Sequence, residues 1–179
     1  MQWTMDPNHS GIEFSVRHMG IATVRGRFGQ FDVKLDTDEH GMLRALQARI
    51  DAATIDTGVD QRDAHLRSPD FLDVARFPTI EFRSHAIEAQ KSGAYAVHGT
   101  LEMRGQSHPV TFNVLTAAPI RDPWGNRRIA GSASGSLKRT TWGLNWNQAL
   151  ELGGWLVGED VRFTIELQAV SSAPSAAAA

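Results

Sequence analysis

Apolar and polar side chains alternate at every second residue through most of this chain, the mark of strands that bury one face. Ile12, Phe14 and Val16 alternate with Glu13, Ser15 and Arg17, and Phe31, Val33 and Leu35 with Asp32 and Lys34. The same rhythm carries Leu46, Ala48 and Ile50, then Ile80, Phe82, Ser84 and Ala86, then Tyr95, Val97, Gly99, Leu101 and Met103. Val110, Phe112 and Val114 follow, then Ile129, Gly131, Ala133, Gly135 and Leu137, and last Val161, Phe163, Ile165 and Leu167. The pattern predicts eight strands. Turn-forming stretches such as Lys91-Ser92-Gly93 and Asp122-Pro123-Trp124-Gly125-Asn126 separate most of them, and the last five read as a meander.

One segment breaks the rhythm. Near residues 57–75 the signals are helical. Thr57 followed by Asp60 has the spacing of a capping box, and Ser68-Pro69-Asp70 that of a second helix start. Phe71, Leu72, Val74 and Phe77 give this insert an apolar face that would cover one end of the sheet.

Strands of ten residues are about 33 Å long, which is long for a small sandwich. Several of the eight strands reach that length, and together they close most simply into an antiparallel barrel, which removes exposed edges; a sandwich is the alternative. The expected fold is therefore all-β, an eight-stranded antiparallel barrel with a short helical insert, occupying residues 1–170 as a single domain. The tail at 171–179, rich in Ser and Ala, is expected to be disordered.

Barrels of this strand count either fill their interior with side chains or hold a small ligand. The inward positions are almost wholly apolar. The expected lumen lining comprises Phe14, Val16, Phe31, Ile50, Phe82, Val97, Leu101, Phe112, Val114, Ala133, Phe163 and Ile165. Ala48, Ser84, Gly99, Gly131, Ala133 and Gly135 are small, so they either leave space for a guest or let strands bend.

Composition narrows the chemistry. The chain has 179 residues, no cysteine and a net charge of -2. Thiolate catalysis and thiolate metal sites are excluded, and the charge argues against a nucleic-acid partner. No apolar run is long enough to span a bilayer as a helix. The first residues lack the basic and apolar regions of a secretory leader, so the expectation is a cytoplasmic protein, or a periplasmic one in its processed form.

No catalytic motif stands out. Gly131-Ser132-Ala133-Ser134-Gly135 reads as strand rather than nucleophile elbow, and no phosphate loop or dinucleotide fingerprint is present. Asp63 and His65 are too close in sequence to share a helix face as metal ligands, so no metal, cofactor or catalytic residue is expected. Arg17 and His18, with Trp142 and Trp146, are candidates for a rim that meets a ligand head group. For Trp142, Trp146 and Trp155, core packing is the competing reading. Arg25, Arg27 and Arg139 could also meet an anionic head; solvated surface arginine is the alternative for each.

Several stretches together resemble the YceI family of lipocalin-like proteins. They include Asp6-Pro7-Asn8-His9-Ser10 with Phe14, Arg17-His18-Met19-Gly20-Ile21 with Val24-Arg25-Gly26-Arg27-Phe28, and Asp56-Thr57-Gly58 with Arg62-Asp63-Ala64-His65-Leu66. Phe77-Pro78-Thr79-Ile80-Glu81-Phe82, Arg139 with Trp142-Gly143-Leu144, and Val157-Gly158-Glu159-Asp160-Val161 continue the match, which covers residues 3–170. The resemblance implies an extended eight-stranded lipocalin-like β-barrel, a long hydrophobic pocket holding an isoprenoid or other fatty amphiphile, a periplasmic setting for most members, and no carried-over catalytic residues. The expected function is a non-enzymatic carrier for a polyprenyl chain, an isoprenoid quinone or a similar lipid. An enzyme working on an amphiphile at the barrel mouth, using His18, Asp63 or His65, is one alternative; a filled barrel serving as a protein-interaction module is another. A homodimer is compatible with the long strands.

Overall fold

The computed structural model describes residues 1–151 and 153–171. Among them are twelve strands: β1 (Gln2–Met5), β2 (Gly11–His18), β3 (Ala22–Phe28), β4 (Phe31–Thr37), β5 (Leu43–Asp51), β6 (Ile55–Asp56), β7 (Thr79–Ala89), β8 (Ala94–Met103), β9 (Gln106–Thr116), β10 (Ile120–Arg121), β11 (Arg127–Lys138) and β12 (Val157–Ser171). One helix, α1 (Asp60–Arg67), lies between β6 and β7.

Eight strands close a ring in the order β1, β4, β5, β7, β8, β9, β11, β12, every neighbouring pair antiparallel. The expected barrel and its C-terminal meander are both present. The sheet is richer than alternation suggested. β12 is 15 residues long and pairs with β1 at one end, through Met5 and Ala169, and with β2 further along, through Ile12 and Ile165. β1 and β2 thus share one lane, interrupted at Pro7, whose missing N–H cannot serve the ladder. Beyond β2 the sheet continues through β3 to β6, with Phe28 opposite Ile55.

Of the four strands that the pattern missed, β3 has seven residues, with Val24, Gly26 and Phe28 alternating with Arg25 and Arg27, and the other three are short. β1 has a single buried apolar side chain, Trp3, whose indole Nε1 donates to Thr37 Oγ1 at 2.9 Å. β6 and β10 have two residues each.

The insert differs from expectation in two ways. Val59, not Thr57, is the N-cap of α1 and makes no side-chain capping bond. Thr57 instead donates from its backbone N–H and its hydroxyl to Asp63, which is buried in the helix's first turn. The second helix does not form. Phe71 and Asp73 both turn their N–H groups back to the Ser68 carbonyl, and Asp73 takes a φ of 50°, which a right-handed helix cannot contain. The turns still bury Phe71 and Leu72 against the core.

β7 corrects one strand register. A bulge between Ser84 and Ala86 shifts the alternation by one, so Ile87 faces Val97 and Ala86 points outward. Ser171 ends β12 rather than opening a tail. The rest of the expected tail, 172–179, lies outside the described residues.

Candidate functional site

The inner faces of the strands enclose two chambers. One, of about 100 Å³, is walled by Val33, Leu35, Leu43, Leu46, Val97 and Val114, with Ala48, Gly131 and Ala133 among the small residues. The other, of about 200 Å³, is walled by Phe14, Val16, Phe28, Met103, Leu137 and Phe163 from the strands, and by Leu66, Phe71 and Leu72 from the insert. Ile12, Ile50, Leu101, Phe112 and Ile165 border both. The waist between them is aromatic. Phe112 meets Phe82 edge-on at 4.9 Å between ring centroids and Phe163 at 5.3 Å.

Eight of the lining residues expected from sequence border the first chamber: Ile50, Phe82, Val97, Leu101, Phe112, Val114, Ala133 and Ile165. Phe14, Val16 and Phe163 border the second. Phe31 borders neither; it lies opposite Ile50 in the β4–β5 ladder and packs on the outside of the core cluster.

The small residues do not all open space. A Cβ on Gly99 would overlap the Phe82 ring, and one on Gly135 or Gly26 would overlap Phe163 or Phe14. These glycines are covered by a neighbouring strand's phenyl ring. Ser84 accepts a hydrogen bond from Leu46 N–H at 2.9 Å. Of the six, Ala48, Gly131 and Ala133 border a chamber.

The rim candidates separate. Trp142 is 2% exposed, donates its indole N–H to the Leu101 carbonyl at 3.1 Å and forms part of the second chamber's wall. It is core, not lip, because a buried indole needs an acceptor and finds it in β8. Trp146 packs edge-on against His65 at 4.7 Å and beside Phe71 at 5.4 Å, so it pins the insert to the barrel. Arg17 is exposed and braces its own hairpin, donating to Gly20 O at 2.8 Å and Thr23 Oγ1 at 3.0 Å. His18 sits beside it at the end of β2. Neither borders a chamber.

Arg139 is the residue that sequence reasoning placed least well. It is 6% exposed rather than solvated, and it lies in the second chamber's wall. Its guanidinium donates to four backbone carbonyls: Gly158 at 2.9 Å, Trp146 at 2.9 Å, Val157 at 3.3 Å, and Leu144. Burial lowers its pKa and the charge of Glu159 opposes the shift. The planar fork of donors holds the loop between β11 and β12 against the barrel, a task that needs arginine's fixed geometry. No local pattern announced it, since the acceptors are carbonyls up to 19 residues away.

The histidines and acids raised for an enzymatic reading are not gathered. Asp63 is engaged with Thr57, and His65 with Asp70 at 2.9 Å and the Phe71 ring. His18 shares no hydrogen bond with either among the described residues.

A sequence profile for the YceI-like domain matches residues 3–169. The chain belongs to the YceI-like family. A UPF0312 protein of Staphylococcus aureus is 35% identical over 164 residues, covering 90% of this chain and 92% of the relative. A UPF0312 protein of Staphylococcus epidermidis is also 35% identical, over 165 residues, with 90% and 93% covered. Among solved structures, Burkholderia cenocepacia BcnA superposes with a TM-score of 0.78 at 21% identity, covering 92% of this chain and 98% of that one. A polyisoprenoid binding domain from Saccharophagus degradans, implicated in plant cell wall breakdown, gives 0.69 at 17% identity, with 94% and 98% covered. At these identities the solved structures establish the shared fold. The YceI-like barrel is what sets the two chambers in line along β2, where Ile12 borders both and Phe14 and Val16 border the second.

Proposed function

We propose that this YceI-like protein is a non-enzymatic binding protein that holds the apolar tail of an isoprenoid or similar amphiphilic lipid in its barrel. The observation that carries the reading is the lumen: two adjoining chambers bordered almost entirely by hydrocarbon side chains, with Phe112 and four aliphatic residues at the waist between them. Each methylene of a guest buried there contributes about 0.8 kcal/mol, so an extended tail binds without any polar contact. The chambers together sit near the small end of ligand pockets, about 300 Å³. A long tail therefore fits by swinging Phe112 aside and joining them. The isoprenoid assignment draws on the family and on the polyisoprenoid binding domain that shares the fold.

Mass spectrometry of an organic extract of the purified protein tests this directly. The expected result is a stoichiometric long-chain lipid, or uptake of a polyprenyl probe by protein stripped of lipid. Protein that carries no lipid and takes up no such probe would overturn the reading.

A further inference from the structure

The end of the barrel beyond the second chamber carries apolar side chains that the protein itself does not cover. The β2–β3 hairpin turns through Met19 and Gly20, both with positive φ, and presents Met19 and Ile21, the latter 78% exposed. Trp155, 62% exposed, stands on the loop that leads into β12. The two segments are tied together. Met19 N–H donates to the Leu156 carbonyl at 2.8 Å, and His18 lies opposite Val157 in the β2–β12 ladder.

Directly below this tip, the outer face of β12, β2 and β3 carries exposed guanidinium groups. Arg162 and Arg25 flank Ser15 in one cross-strand row, and Arg17 projects from the same face one step nearer the tip. None of the three has a carboxylate ion-pair partner among the described residues. Among the nearby acids Glu159 binds Lys138 and Thr140, while exposed Asp160, opposite Lys138, and exposed Glu13, opposite Arg27, form no ion pair with any of the three. Glu151 is the carboxylate on the Trp155 loop.

We propose that this end docks on an anionic phospholipid bilayer, with Met19, Ile21 and Trp155 seated in the interface and Arg17, Arg25 and Arg162 against the phosphates. An indole and two aliphatic side chains held on tight turns suit the boundary between head groups and acyl chains, and a cationic collar adds attraction to anionic lipid. The proposal rests on the lumen as a lipid site, because Val16 and Val157, at the base of the tip, border the second chamber. Cargo would then exchange at the membrane through the end that touches it.

Co-sedimentation with vesicles of phosphatidylcholine and phosphatidylglycerol in equal parts tests it. The intact protein should pellet with these vesicles and less with phosphatidylcholine alone. Ile21→Ser combined with Trp155→Ser should weaken partitioning by about tenfold or more. Arg17→Gln with Arg25→Gln should remove the preference for the anionic vesicles. Trp124→Ser, at an exposed tryptophan on the β10–β11 hairpin, should change nothing. Intact protein left in the supernatant, a tip variant that pellets like the parent, or loss of pelleting in Trp124→Ser would each overturn the proposal. So would a dimer on size exclusion that the tip substitutions disperse while vesicles are ignored. Lipid extraction on the same preparations separates the two readings: vesicle binding without cargo removes the carrier function alone, and cargo without vesicle binding removes the docking alone.

Discussion

The Phe82 ring lies over Gly99 on the neighbouring strand, so close that no Cβ fits between them. Phe82 is buried, borders the first chamber and braces Phe112 at the waist. Gly99→Ala should therefore push the ring inward or distort β8, and cost about 1–3 kcal/mol of stability by overpacking. Urea unfolding checks the cost. The same substitution should lower lipid uptake, because a displaced Phe82 narrows the lumen.

Phe112→Ala is expected to act in the opposite sense on binding. Removing the ring that borders both chambers should merge them and admit longer tails, while costing about 3 kcal/mol of stability from lost packing. Uptake measured across a series of polyprenyl chain lengths reads the first effect and thermal unfolding the second. An unchanged length preference in a folded variant would show that Phe112 is not the partition.

Arg139→Ala should be among the most damaging substitutions in the chain. It strips the donor from four carbonyls at once, and buried groups left without partners cost about 1–3 kcal/mol each. Arg139→Lys keeps the charge but not the fork, so it should rescue only part of the loss. Chemical denaturation of the two variants side by side gives the comparison. Equal stability of Arg139→Lys and the parent would mean that charge alone suffices.

Acid should loosen the β10–β11 hairpin. Arg128 donates to Asp122 and to Asp6, each at 2.8 Å, and its guanidinium is the main reason that the Asp122 pKa drops from 3.8 to about 2. Asp6 is lowered by the same arginine. A depressed carboxylate favours the folded state above its unfolded pKa, and that contribution fades as the pH falls through the folded one. Melting temperature should thus decline as the pH drops from 3.8 towards about 2. Asp122→Asn should melt lower than the parent at neutral pH and show a shallower decline in that window.

Where one periodicity ruled, the sequence was readable. The β7–β8–β9–β11–β12 meander follows from side chains that alternate over long runs. Reading failed where a non-local contact decided the outcome. Ala86 fits the alternation of β7, but the bulge that turns it outward is visible only in the pairing with His98 and Val97. Thr57 has capping-box spacing to Asp60, yet Asp63 offers it an acceptor three residues later. For Gly99 and Gly135 the choice between guest space and strand geometry stayed open in the sequence, because the phenyl rings that cover them belong to other strands. Trp142 and Arg139 were legible as residues worth attention, but their burial depends on carbonyls from β8, from the β11–β12 loop and from the start of β12.

The double pairing of β12 has a consequence for how the chain is made. β1 and β2 leave the ribosome before the other described strands, and both wait for a strand that starts at Val157. β11 waits for it too. Until β12 emerges, three strands expose unpaired edges and the ring stays open, so closure waits for the last of its strands. A nascent chain stalled before Val157 is an open sheet with its greasy face to the solvent, a natural client for a chaperone.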